Sequence, residues 1–67
     1  MDNTKFYDDH IEITLAEARY TVFKKYIKII EEAPNGAYVY VEITEEHEPF
    51  KLFSNIDYNI LKLKLGL

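Results

Sequence analysis

The stretch from Thr14 to Ala33 limits the possible folds more than any other. Turned at about 100° per residue, Leu15, Ala18, Val22, Phe23, Tyr26, Ile27, Ile29, Ile30 and Ala33 gather on one side. Glu17, Thr21, Lys24, Lys25, Lys28, Glu31 and Glu32 gather on the other. Thr14 and Glu17 stand at capping-box spacing, and Pro34-Asn35-Gly36 supplies a stop. The pattern predicts one amphipathic helix about 28 Å long at the usual rise, enough to cover a small sheet. Arg19 projects into the apolar stripe, where it either snorkels past the end of the core or pairs with a carboxylate from a strand.

The remaining chain alternates. Residues 1 to 9 read as a loosely attached start that Phe6 and Tyr7 could anchor. His10 to Ile13 suggests a short strand with Ile11 and Ile13 inward. From Ala37 to Thr44, Ala37, Val39, Val41 and Ile43 share one face, and Tyr38, Tyr40, Glu42 and Thr44 the other. Glu45 to Pro49 forms a charged turn, and Phe50 to Phe53 returns as a second strand. After the turn at 54–57, Tyr58 to Leu65 alternates as a strand with Leu61, Leu63 and Leu65 on one side; alternatively, Asp57 caps a short terminal helix. The fold class expected is α+β, one amphipathic helix packed on a small antiparallel sheet in the order β-α-β-β-β. A single domain covers residues 1–67.

At 67 residues such a chain buries only about 60% of its unfolded surface, and folds of this size usually lean on disulfides, metals or a partner subunit. There is no cysteine, which removes disulfides and thiolate metal sites and suits a reducing cytoplasm. Hydrophobic residues make up 48% and aromatics 15%, too rich for a disordered tail. No apolar run reaches the roughly 20 residues of a membrane span, and no signal peptide is expected behind the polar first residues. Tyr38 and Tyr40 with Phe50 or Phe53, and Ile60, fall on the sheet face turned away from the helix. A contiguous aromatic patch marks an interface, so Tyr38, Tyr40, Phe53 and Ile60 are the expected contacts of a symmetric homodimer. The other reading folds the Phe6-Tyr7 arm over that face.

The formal net charge of −4 disfavours direct binding to nucleic acid or an anionic membrane and favours a basic partner. Charge is also blocked. Arg19, Lys24, Lys25 and Lys28 follow one another without an acid between, and Glu31, Glu32, Glu42, Glu45, Glu46 and Glu48 then follow without a base. In the expected helix, Glu31 and Glu32 oppose the dipole, and Glu45, Glu46 and Glu48 repel one another in one turn. Chemistry is harder to find. Glu46-His47-Glu48 offers ligands to a divalent ion, but without helical spacing, and no metal or cofactor is expected. Ser54, the single serine, has no visible base. Asn35-Gly36 is turn chemistry, and little room is foreseen for a pocket of about 300–1,000 Å³. An enzyme is not expected.

Small, acidic, cysteine-free chains rich in Ile, Lys, Glu and Tyr resemble the host-takeover proteins of bacteriophages that mimic DNA. This chain is most similar in type to the phage inhibitor of the bacterial nucleoid protein HU, with uracil-DNA glycosylase inhibitors and anti-CRISPR proteins as neighbouring types. The resemblance implies a protein that works in the host bacterial cytoplasm. It would bind a basic nucleic-acid-binding host protein and block that protein's access to DNA, without touching nucleic acid itself. The contacts would be Asp8, Asp9, Glu12, Glu31, Glu32, Glu42, Glu45, Glu46 and Glu48, with the basic stretch from Arg19 to Lys28 facing away. The alternative is a small dimeric adaptor or structural module that binds a protein through the exposed aromatic sheet face.

Overall fold

In a computed structural model, which describes residues 2–42 and 48–67, the chain forms two three-stranded antiparallel sheets and one helix, an α+β fold. Strands β1 (Thr4–Phe6), β2 (His10–Leu15) and β3 (Ala18–Phe23) form the first sheet in sequence order. A single 3₁₀ turn, Lys24–Tyr26, leads into the second sheet of β4 (Ile27–Ala33), β5 (Gly36–Val41) and β6 (Phe50–Ser54). Helix α1 (Tyr58–Leu65) closes the chain and packs on β4 and β5.

The long helix expected over Thr14–Ala33 is therefore replaced by the end of β2, by β3, the 3₁₀ turn and β4. The order is β-β-β-β-β-β-α, with the helix last. Thr21, Val22, Ile27, Ile29 and Ile30 are β-branched, and Tyr20, Phe23 and Tyr26 are aromatic, the side chains that fit a pleated surface best. The helical period has a specific origin. The β4–β5 register shifts between Ile27 and Ile29, a bulge that adds a residue and reverses the alternation. Half-buried positions in β4 consequently recur every third residue, at Ile27, Ile30 and Ala33. Only Val22 of the expected apolar stripe is fully buried.

Tyr58 to Leu65 takes the helical alternative. Asp57 Oδ2 accepts the amides of Asn59 (3.1 Å) and Ile60 (3.4 Å), satisfying amide donors that the first turn cannot pair. At the other end Gly66 is left-handed, φ 77°. The amides of Gly66 and Leu67 donate to Leu63 O (3.1 Å) and Lys62 O (2.9 Å), the paired bonds of a Schellman stop. Leu61 is fully buried while Leu63 stands 78% exposed, so the alternation of Leu and Lys does not record which side faces the core.

The core joins both sheets and the helix: Ile11, Ile13 and Val22 meet Ala37, Val39, Val41 and Leu52, with Ile56 and Leu61. Each buried Ile, Leu or Val contributes about 1.5–3 kcal/mol. The start of the chain is not loose. Asn3 exchanges two bonds with Asn55, its amide donating to Asn55 Oδ1 and its Oδ1 accepting the Asn55 amide, both 2.9 Å. Its Nδ2 donates to Phe53 O (2.9 Å). Among the described residues no helix is long and apolar enough to cross a membrane.

Candidate functional site

The outward face of β4–β5–β6 carries the side chains that the alternation of β5 turns away from the core. Register places Tyr38 between Glu31 and Phe53, and Tyr40 between Ile29 and Lys51. The Tyr38 and Phe53 rings meet edge to face at 5.5 Å, a favoured geometry that adds about 0.5–1.5 kcal/mol to burial. Lys51 Nζ lies over the Tyr38 ring at 4.1 Å and 5.9 Å from that of Tyr40. Tyr40 Oη donates to Glu31 Oε1 at 3.0 Å. Tyr38, Tyr40 and Phe53 are half-buried, and Ile29 extends the apolar surface at 54% exposure. The result is an aromatic sheet face with one oriented carboxylate and one ammonium.

Of the interface residues read from the sequence, Tyr38, Tyr40 and Phe53 lie together. Ile60 does not join them: it is exposed on α1, whose Leu61 enters the core against the opposite side of β5. Phe50 pairs with Val41 on the inward side and stands 65% exposed at the sheet margin. The Phe6-Tyr7 arm is engaged elsewhere. Phe6 packs against the core, and Tyr7 stacks on His10 with ring centroids 4.6 Å apart.

The acids divide between two sides of the molecule. Asp8 and Asp9 form the β1–β2 turn, and Glu12 lies between Lys5 and Thr21 on the outward side of the first sheet. Glu31 lies on the outward side of the second sheet, so it and Glu12 face opposite directions. Glu32 is exposed on β4, the β4–β5 turn next to it, and Glu42 follows β5, its amide donating to Tyr26 O (2.9 Å). Glu48 is exposed shortly before β6. Glu45 and Glu46 lie outside the described residues, as do Ile43, Thr44 and His47. Among the described residues the one side-chain contact at ion-pair distance is the hydrogen bond between Asp9 Oδ1 and His10 Nδ1 at 2.6 Å, an ion pair when His10 is protonated. That hydrogen bond holds the Asp9 carboxyl below its ordinary pKa, against a smaller opposing cost of desolvation and with help from the charges of His10 and Lys24. No Lys or Arg there reaches a carboxylate at ion-pair distance.

Hollows accompany these faces. A polar basin of about 250 Å³ is lined by Glu32, Asn35, Asn55, Asp57 and Tyr58 along the β4–β5 turn. An apolar groove of about 160 Å³ opens between β3 and β6, lined by Tyr20, Val22, Val41, Phe50 and Leu52. The groove is hidden in the sequence because a helical period sets Tyr20 and Val22 on different faces. Read with period two, Tyr20 and Val22 share a face. No group of three or more His, Cys, Asp or Glu side chains among the described residues is placed to hold a metal ion. No protein-family model matches the chain, and no curated protein or solved structure matches it either.

Proposed function

We propose that this chain binds a basic, nucleic-acid-binding protein of the HU type and blocks its access to DNA. The outward face of β4–β5–β6 makes the contact. One observation carries the reading: Glu31, itself exposed, is oriented by Tyr40 on a half-buried aromatic face, and among the described residues no Lys or Arg is within ion-pair distance of it. A carboxylate held in place but not neutralised can receive a partner's Lys or Arg as a phosphate does. The aromatic rings beside it supply the apolar contact that gives an interface its strongest residues. A flat partner on this face meets Glu31 but not Glu12, which lies on the outward side of the other sheet, and Glu42 and Glu48 flank the strands of the contacting sheet in sequence. Binding is steered by charge and weakened by salt.

A second reading is an adaptor that uses the same face through its rings alone. The edge-to-face packing of Tyr38 on Phe53 under Lys51 favours it, since Lys51 already supplies the face with a cation. Titrating the protein into a fluorescent duplex bound to purified HU separates the two. Mimicry requires displacement of the duplex, loss of competition as salt rises, and at least about tenfold weakening by Glu31→Lys with Glu42→Lys. Failure to displace DNA at any salt sinks it. Salt-independent binding that Tyr38→Ser abolishes and the Glu changes leave intact establishes the adaptor.

A further inference from the structure

A sheet edge is a template for another strand, and native folds protect it by shortness, bulges, proline or cover. Each sheet here has two edges. Strand β1 spans Thr4–Phe6 only, β4 carries a bulge and is covered by α1, and β6 is entered through Pro49. Among the described residues, strand β3 has none of these devices. It runs six residues without a bulge, pairs on one side with β2, and exposes every residue but Val22.

The hydrogen-bond pattern fixes which groups β3 offers. The Thr14 amide donates to Asn3 O (2.8 Å) and the Tyr7 amide to His10 O (2.9 Å), so the even residues of β2 bond toward β1 and the odd ones toward β3. Ile11, Ile13 and Leu15 face Val22, Tyr20 and Ala18, which are therefore bonded inward. Lys24, whose amide donates to Asp9 O at 3.0 Å, keeps the same phase. Arg19, Thr21 and Phe23 direct their N–H and C=O groups to the edge away from β2, which no described strand pairs.

We infer that β3 is the seam of a symmetric dimer, in which it pairs antiparallel with β3 of a second copy about a two-fold axis at Thr21. This register sets Thr21 against Thr21 of the other copy and Arg19 against its Phe23, so that all three outward-bonding residues on each side are used. Past the strand ends, the same register brings Glu17 in the β2–β3 turn of each copy toward Lys25 in the 3₁₀ turn of the other, an opposite-charge pair made twice. Moving either strand by two residues spoils this. One shift sets Arg19 against Lys25, and the other sets Glu17 against Phe23 and leaves Lys25 outside the pairing. Tyr20 then lies against Val22 of the second copy beside the apolar groove, and Arg19 reaches the face of Phe23, a favourable cation–ring contact. The two first sheets merge into one of six strands, and both β4–β5–β6 faces stay open.

Sedimentation equilibrium and light scattering on the full chain test it. The protein is expected to be a dimer, and Thr21→Lys, which sets two ammonium groups against each other at the axis, is expected to be a monomer with unchanged far-ultraviolet dichroism. Lys25→Glu weakens the dimer about tenfold by opposing carboxylates at both ends. The double swap Glu17→Lys with Lys25→Glu restores it to within about twofold. A monomeric parent, a dimer indifferent to Thr21→Lys, failure of the double swap to restore association, or loss of the dimer on Tyr38→Ser would each overturn the inference.

Discussion

Two small residues mark where the backbone is under opposite constraints. Gly36 opens β5 at φ +155°, and a Cβ built there would overlap the carbonyl oxygen of Ser54 and stand 2.9 Å from Asn55 Cα. Both obstacles are backbone, so neither can swing aside. Gly36→Ala should therefore cost about 3 kcal/mol or more, within the range for steric strain at a fixed backbone. In a domain of this size that lowers the thermal midpoint by at least about 12 °C, as a melt followed by circular dichroism would register. Ala16 is the reverse case. It is the first residue of the two-residue β2–β3 turn and sits at φ 54°, where a side chain costs about 1–2 kcal/mol. Ala16→Gly relieves that strain against a smaller entropic penalty of about 0.5–1 kcal/mol. A gain of up to about 1 kcal/mol in a denaturant titration is expected, and a loss would mean that the Ala16 methyl has a packing role.

At the scale of elements, the sequence was most legible where period two ran unbroken. Ala37, Val39 and Val41 against Tyr38 and Tyr40 marked out β5, the face it presents and the ring partner from β6, and all of these stand in the fold. The α+β class stands, but the helix that supplies its α part is α1 and not the expected Thr14–Ala33 segment. That segment was not legible, because two strands, a 3₁₀ turn and a bulge in series produced a spacing of three and four without any helix. Nor could the sequence reveal that Glu12 and Glu31 face apart, since which sheet a strand joins is settled by long-range packing. The helix that does form was advertised by its cap rather than its periodicity. Asp57→Ala removes the acceptor of two amides and should cost about 1 kcal/mol. Exchange of the Asn59 and Ile60 amides should quicken strongly, while the strand amides quicken only by the loss of global stability. If both respond equally, α1 does not open separately from the sheets.

For the whole molecule the question is what ties the first sheet to the second besides apolar burial. A run of hydrogen bonds does so, and its directions can be assigned. Thr4 Oγ1 donates to Asn3 Oδ1 at 2.9 Å, so its single proton is used and Ser54 must be the donor in their 2.6 Å contact. Ser54 Oγ in turn accepts the Ile56 amide at 3.3 Å, and Asn3 Oδ1 also accepts the Asn55 amide at 2.9 Å. Every hydroxyl in the run both donates and accepts, and Thr4 and Ser54 are buried at 5% and 0% exposure. Buried and fully satisfied, such a network specifies one docking of the sheets; broken at one point, it leaves polar groups without partners in a dry place. Ser54→Ala strands the Ile56 amide and removes the donor to Thr4, and should cost about 1–3 kcal/mol. Thr4→Val removes the acceptor of the same bond and should cost a similar amount. The double variant should lose less than the two losses added together, because neither remaining side chain then presents an unmatched group to the other. Chemical denaturation of the four proteins measures the coupling. Strict additivity would mean that the two hydroxyls act independently and that the sheets are held by Ile11, Ile13, Val39 and Leu52 alone.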